Sequence, residues 1–597
     1  MPAPRAMTQA LHGRTNKRWR IAAHDAVRID QLHQAAGISP IVAQLLVARG
    51  VYDSSQARMF LDAKLTGLRD PELLPGIPAA VELIDAAIRD RKKIVIYGDY
   101  DADGITGTAI LVSCLKLLNA DVTYHVPNRL EEGYGLSEDA LKSLAERGAA
   151  VVVSVDCGIA SLAEADLARE LGLTLIVTDH HEFAERLPAA AAIVHPRLPG
   201  HSYPFGGLCG AGVALKLAWA ICQRSCQAKR VSEPLRNFLL SAVGLAAIGT
   251  VADIVPLVDE NRILVRHGLN SLKAMPPLGL AALMKVAGLA EKAALGSEDL
   301  AFGIAPRLNA AGRFGQAQLA IELLITTSAE RAQQLAEYIH ELNRSRDSLE
   351  RSIHLAASKQ IKEQFDADGD AALVLAGRGW HAGVIGLVAG RLAEKLHRPV
   401  VLIALDQLGI KPGVGSARSP NGLHLHAALT ACSEHLLTYG GHAAAAGLKI
   451  EESRVDAFRA AFCEHAGCEA SGAVRVGEIR IDAEGPFCQL THETVKQIES
   501  LAPFGCGNPR PVLCATGVRL TEAPKKIGAS EAHLSMKLAQ RETRMRCFGF
   551  GCAEWAEELA AAGVPLDIAY KPVINEYQGR RNVEIQLVDW RVSEAAS

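Results

Sequence analysis

The sequence predicts an α/β protein: two α/β lobes joined by a long helix, followed by a small OB-like β-barrel. Three observations predict it. Between Lys93 and Asp179, short β-branched apolar runs alternate with helix-compatible segments, as in βαβ units on a parallel sheet. Ser328 to Phe365 contains neither Gly nor Pro, and Leu335, Ile339, Leu342, Leu349 and Ile353 recur at helical spacing. From about Val474 the chain turns to short alternating runs with turn signals, the texture of a small antiparallel barrel.

The elements follow in order. Residues 1–75 form a mixed, helix-leaning leader with Arg14, Lys17, Arg18 and Arg20. Residues 76–275 hold the first lobe, with strands in "KIVIY", "DVTYHV", "AVVVSVD" and "LTLIVTD". These runs are apolar throughout, as expected of strands covered on both faces. Residues 276–365 are a helical connector ending in the long helix, roughly 55 Å at 1.5 Å per residue. Its Arg344, Arg346 and Arg351 read as a solvated face or as the basic wall of a groove. Residues 366–470 hold a second α/β pattern, "AALVLAG" and "PVVLIAL" around "GVIGLVAGRLAEKL". Residues 471–597 hold the barrel.

Composition sets wide bounds. The 597 residues are 49% hydrophobic, enough for several cores, and the formal net charge is -3. That balance neither marks a nucleic-acid binder nor excludes one. Thirteen cysteines without a CxxC pair read as reduced thiols of a cytosolic protein. The N-terminus has no apolar h-region. The most apolar segment is broken by Asp253 and Pro256, short of the ~18 residues of a membrane span. The expectation is a soluble cytoplasmic protein with no membrane partner.

The candidate site lies at strand ends. Asp99, Asp101 and Asp103 follow "KIVIY", Asp156 ends "VVVSVD", and Asp179, His180 and His181 end "LTLIVTDHH". In a parallel sheet the carboxyl ends of the strands share one edge, where ligands bind. Asp253 in "GTVADIVP" is a further acid. Clustered carboxylates repel and raise one another's pKa unless cations offset them. Carboxylates with a neutral imidazole suit Mn²⁺ or Mg²⁺, and two such ions can clamp a phosphoryl group. The helix opening near Thr106 and Gly107 offers N–H groups suited to an anion. A calcium loop is excluded: its twelfth position needs a bidentate Glu, and counting from Asp99 that position is Ile110.

"GDYDADGITG", "VSVDCG", "VTDHH" and "VADIVPL" resemble, in order, the four motifs of the DHH phosphoesterase superfamily. "VPNRLEEGYGL", "FGIAPRLNAAGR", "GWHAGVIGLVAGRL", "GSARS", "GGHAAAAG" and "PFGCGNPRP" extend the likeness to its single-strand DNA exonuclease branch, from about residue 70 onward. The resemblance implies a hydrolase with two divalent ions, Mn²⁺ or Mg²⁺, that removes mononucleotides from the 5′ end of single-stranded DNA in repair and recombination. It implies that Asp101 and Asp103 divide between the ions, that Asp156 bridges them, and that His180 and Asp253 complete the second. His181 would orient the phosphate or assist proton transfer. Where many members carry a His, this chain has Tyr97, with Asp99 nearby as an added candidate ligand; the exonuclease branch shares this feature. Substrate contacts implied are Arg129 and Tyr134, then Arg307, Asn309 and Arg313, then Ser416, Arg418, Gly441 and His442 in a DHH-associated domain. On the barrel, Lys525, Lys526, Arg544, Arg546, Phe548, Tyr577, Arg580 and Arg581 are candidates for tracking the strand through charge and stacking. Single-strand-binding protein and a helicase are the implied partners of a monomer. Two other readings compete: a phosphodiesterase of short oligoribonucleotides or cyclic dinucleotides, and a catalytically dead replication scaffold. The added barrel argues against the first, and the complete set of motif ligands against the second.

Overall fold

The computed structural model describes residues 11–12, 14–15, 17–128, 135–183, 185–366, 370–420, 422–469, 477–577 and 580–593. The chain forms two compact units. One comprises Arg69–Val255 and His267–Arg475, and the other Met1–Leu68, Pro256–Arg266 and Val476–Ser597.

The first unit is built on a five-stranded sheet of β1 (Ile94–Gly98), β2 (Val122–His125), β3 (Val151–Val155), β4 (Thr174–Thr178) and β5 (Ala192–Val194). The order is β2-β1-β3-β4-β5, and every pairing is parallel. All five residues of β1 and of β3 are buried, which explains their unbroken apolar character. Val95, Tyr97, Val152, Leu175 and Val177 pack on the helices Glu138–Glu146 and Leu162–Glu170. On the other side, α1 (Ala102–Leu117) packs against α2 (Gly210–Cys226) and α3 (Glu233–Ala252). Helix α3 is long and apolar enough to cross a membrane by composition, but more than half of it is buried inside the fold. It is a core helix that ends at Asp253.

The chain order reverses between β1 and β3, with β2 to one side and β4 to the other. A doubly wound sheet opens a crevice at such a switch point, beyond the carboxyl ends of its strands. Asp99 follows β1 and Asp156 follows β3, so the topology alone places them side by side.

After the helix α4 (Ala305–Arg313), the long helix α5 runs Ala329–Gln364, 36 residues, close to the span expected. Arg344 and Arg351 are exposed, as a solvated face requires, but Arg346 departs from it. Arg346 is buried and donates to Glu350 at 2.8 Å, Asn343 at 2.9 Å and Asp347 at 2.6 Å. Glu350, itself buried, also pairs with Arg391. A buried charge needs such pairing, and the i,i+4 spacing of Arg346 and Glu350 supplies it.

A second sheet follows α5: β6 (Leu373–Arg378), β7 (Val400–Leu405), β8 (Gly413–Arg418), β9 (Thr438–Gly441) and β10 (Ala445–Ile450). Its order is β9-β10-β8-β7-β6. Only β6 and β7 pair in parallel; the rest is antiparallel. Helix α6 (Ala382–Leu396) covers one face together with Ile353 and Ala357 of α5. Val455, Phe458 and Phe462 cover the other.

In the other unit, Leu513–Leu520, His533–Gln540, Thr543–Gly549, Leu566–Tyr577 and Arg580–Val592 form a barrel. Arg519 and Leu520 close it by pairing with Ala539 and Leu538. The sequence sets residues 1–75 apart from this barrel, whereas the structure packs the helices Ala26–Ala36, Pro40–Val47 and Ser54–Asp62 into one core with it. Leu32, Ile41, Leu45 and Leu46 share a buried cluster with Val495, Ile498, Leu538 and Ile568. The helix Pro40–Val47 buries six of its eight residues, more apolar surface than a short leader can cover alone. A third segment completes this unit. Arg262, buried, donates to the Phe60 carbonyl at 2.9 Å and the Leu501 carbonyl at 2.7 Å, with its guanidinium over the Phe60 ring. Desolvation lowers its pKa to about 9.

Candidate metal centre at the switch point

Asp101 caps α1. Its carboxylate accepts the N–H groups of Asp103 at 2.9 Å and Gly104 at 3.1 Å, the usual way an acid satisfies a helix start. Asp103 points across to α2, where the N–H groups of Gly210 and Ala211 donate to it at 2.6 and 2.9 Å. Asp156 has a left-handed backbone (φ 65°) as β3 turns away. Asp253 caps the end of α3.

These side chains meet. Ligand atoms of Asp99, Asp101 and Asp156 lie within 4.8 Å of one another, as do those of Asp103, His180 and Asp253, and those of Asp156, His180 and His181. His180 Nε2 stands 3.1 Å from Asp156, 3.5 Å from Asp253 and 3.9 Å from Asp103. The structure therefore brings together all seven predicted ligand and catalytic candidates.

The electrostatics follow from burial. Desolvation, with repulsion from Asp103, Asp101 and Asp99, raises Asp156 well above the ordinary acid range. Desolvation, with repulsion from Asp103 and Asp101, pushes Asp253 up to about 8. Asp103 is raised by burial too, against the opposing pull of His180. Burial lowers His180, which leaves it neutral, the ligating form of imidazole. His180 Nε2 is buried and makes no hydrogen bond, yet it faces three carboxylates. A cation between them satisfies both sides, and the O/N donor set suits Mn²⁺ or Mg²⁺.

His181 behaves oppositely. Burial alone would lower it, but the bond from Nδ1 to Asp179 at 2.7 Å and the surrounding carboxylates raise it to about 9. Asp179 would rise on burial, but the His181 contact and the Ile159 N–H bring it below its ordinary value. Asp179 is thus spent on orienting the loop.

Glycines make the close approach possible. A Cβ on Gly249 of α3 would overlap Asp103 Oδ1 and lie 2.7 Å from Ala211 Cβ. Gly249→Ala is expected to displace Asp103 and weaken Mn²⁺ binding about 10-fold or more, as disturbing the support of a metal ligand does. Unchanged Mn²⁺ affinity by isothermal titration would sink the expectation.

The predicted substrate residues divide. Asn309 accepts the Ala102 N–H at 2.8 Å and so braces the start of α1. Arg313 donates to the Gly383 carbonyl at 2.9 Å, tying α4 to α6. Asn309 and Arg313 line a cavity of about 330 Å³ with Asp99, Tyr100, Asp101, His181 and Ala252. Arg307 does not line that cavity; it turns to His340 at 3.2 Å and to the Gly303 carbonyl. Ser416 and Arg418 lie on β8 and Gly441 on β9, with β10 between the two strands, and Arg418 donates to Ser416 Oγ at 3.0 Å. His442 beside them is exposed. Arg129 and Tyr134 lie outside the described residues. Tyr97 donates to the Gly135 carbonyl at 3.1 Å within the core. Two residues outside the predicted set, His195 and Arg197, close the back of the loop. Their signal was "VHPR" at the end of one more apolar strand.

Three family models match the chain: the DHH family N-terminal domain over residues 93–248, the DHHA1 domain over 369–466 and the RecJ OB domain over 481–589. The chain is 37% identical to the single-stranded-DNA-specific exonuclease RecJ of Bacillus subtilis, over 97% of this chain and 71% of that protein. It is 36% identical to the RecJ of Dickeya dadantii, over 91% and 95%. This chain belongs to the RecJ family. A crystal structure of RecJ from Thermus thermophilus with Mn²⁺ superposes with a TM-score of 0.80 at 31% identity, covering 98% of this chain and 81% of that one. The Mg²⁺ complex of the same RecJ gives 0.75 at 30% identity, covering 97% and 79%.

Proposed function

We infer that this RecJ-family chain is a metal-dependent exonuclease that hydrolyses single-stranded DNA from the 5′ end to mononucleotides, in DNA repair and recombination. One observation carries the reading: two donor sets, joined through Asp156 and His180, meet at the switch point of a parallel sheet. Asp99, Asp101 and Asp156 would hold one divalent ion, and Asp103, His180 and Asp253 the other, with Asp156 between them. Bound there, the ions supply positive charge to the phosphodiester oxygens and lower the pKa of a coordinated water.

The chain's own residues do the rest. Asp179 fixes the His181 ring through Nδ1 at 2.7 Å, so that the ring can orient a phosphate oxygen or give a proton to the leaving oxygen. Arg313 and Asn309 wall the cavity that admits the scissile phosphate. Arg418, with Ser416, Gly441 and His442, offers charge-assisted contacts to a further phosphate, as do Arg129 and Tyr134 by family likeness. On the barrel, Lys525, Ser535 and Phe548 lie on one cross-strand row. Phe548 meets exposed Phe550 edge to face, and Phe550 meets His533 in the same way. A charged face with an exposed ring suits a single strand without regard to sequence. The enzyme acts as a monomer in the cytoplasm, supplied by a helicase and single-strand-binding protein.

The test is digestion of single strands labelled at either end, with Mn²⁺, with Mg²⁺ and with chelator. Mononucleotide release from the 5′ end, abolished by chelator and absent on blunt duplex, is expected. Release beginning at the 3′ end would overturn the polarity, and full activity in chelator the metal assignment.

A further inference from the structure

The dipeptide His180–His181 lies in neither helix nor strand, yet all four of its backbone polar groups are tied to side chains. Both N–H groups donate to Asp179 Oδ1, at 2.7 and 3.2 Å. The His180 carbonyl accepts from Arg197 Nη2 at 2.6 Å. The His181 carbonyl contacts His195 Nε2 at 2.9 Å.

The second contact of His195 fixes its tautomer. Its Nδ1 accepts the Arg197 N–H at 3.0 Å, so the ring hydrogen sits on Nε2 and is donated to His181. The ring is fully buried and meets Phe183 edge-on at 5.5 Å. Arg197 is further anchored by Glu182. Gly206 leaves it room, since a Cβ there would lie 2.8 Å from Arg197 Cγ. The backbone torsions of His180 and His181 set the Cα–Cβ directions from which their imidazoles reach the carboxylates. Rotating these peptides would break the part-buried bonds to Asp179 and His195 and the exposed bond to Arg197, and a donor or acceptor left unmade away from water is costly.

We propose that His195 and Arg197 are positioning residues that set the His180–His181 backbone from behind, so that both rings face the carboxylates before metal or DNA arrives. This rests on the reading of His180 as a metal ligand. Outer partners of a metal ligand tune affinity through its orientation, and here the partners act on the peptide carbonyls rather than on the rings.

The test is isothermal titration of Mn²⁺ into the metal-stripped full chain. His195→Leu keeps volume and loses the donor, whereas His195→Gln keeps a donor. Arg197→Met keeps the stem and loses both guanidinium contacts. His195→Leu and Arg197→Met are expected to weaken Mn²⁺ binding about 10- to 100-fold, with kcat lowered and KM for the single strand unchanged. His195→Gln is expected to stay close to the parent. Leu and Gln variants that bind Mn²⁺ alike would overturn the proposal. Should His195→Leu not fold, Arg197→Met decides: parental affinity there overturns the proposal equally. His180→Ala separates the two layers. If it leaves Mn²⁺ affinity unchanged, the ligand reading has failed; if it weakens binding while Arg197→Met does not, only the positioning has.

Discussion

His180→Ala is expected to lower kcat on single-stranded DNA by about 10³-fold, or about 4 kcal/mol of barrier at about 1.36 kcal/mol per tenfold. The scale is that of the charge stabilisation a bound metal supplies. The variant removes the single neutral donor among three acids. Asp103, Asp156 and Asp253 would then confront one another without the imidazole that stands 3.1 to 3.9 Å from each. Affinity for the strand should change little, because Arg313, Arg418 and the barrel face are left intact. The check pairs a gel-shift titration with single-turnover hydrolysis. Binding that falls as far as activity would place His180 in strand capture and sink its role as a ligand.

The second large effect is on the pH dependence of stability. Asp253 is held at about 8, against about 3.9 for a free Asp. A raised acid binds more protons folded than unfolded, so its contribution is full below about pH 4 and is lost as pH rises through about 8. Asp103 and Asp156 are raised as well and act in the same direction. His181, at about 9 against about 6.5 unfolded, contributes fully below about 6.5 and loses its share as pH rises through about 9. The metal-stripped protein should therefore lose thermal stability from about pH 5.5 to about 8.5. Mn²⁺ needs these acids ionised, so its affinity should rise over the same range. At about 100 times Kd a ligand stabilises by about 2.7 kcal/mol, so the Mn²⁺-induced rise in Tm should be larger at about pH 8.5 than at about pH 5.5. An equal rise at both would show that these carboxylates do not hold the metal.

Much of the catalytic sheet is legible in the sequence because each ligand follows an apolar run that fits only a buried strand. "KIVIY" to Asp99 and "VVVSV" to Asp156 give both the strand and its active end. Other features are set by tertiary contacts without a local pattern. Arg346 reads as a surface residue because a buried Arg–Glu pair and a solvated one share the same i,i+4 spacing. The N-terminal helices read as a leader because their barrel partners come hundreds of residues later in the chain. His195 reads as ordinary because its role depends on the carbonyl of His181, on another strand's end. Gly249 sits in a helix as any small residue might, and only the nearby Asp103 carboxylate shows why nothing larger fits.

The barrel unit is assembled from Met1–Leu68, Pro256–Arg266 and Val476–Ser597. During synthesis, Leu32, Ile41, Leu45 and Leu46 emerge long before the strands that cover them. At roughly 5–20 residues per second, the wait for Ala483 and its successors is on the order of 20–90 s. The nascent chain thus carries an open apolar helix pair through the making of the entire catalytic unit, a natural substrate for chaperones. A fragment stopped before the barrel would keep that surface exposed, so a shortened enzyme needs the segment up to Leu68 and Arg262 redesigned together.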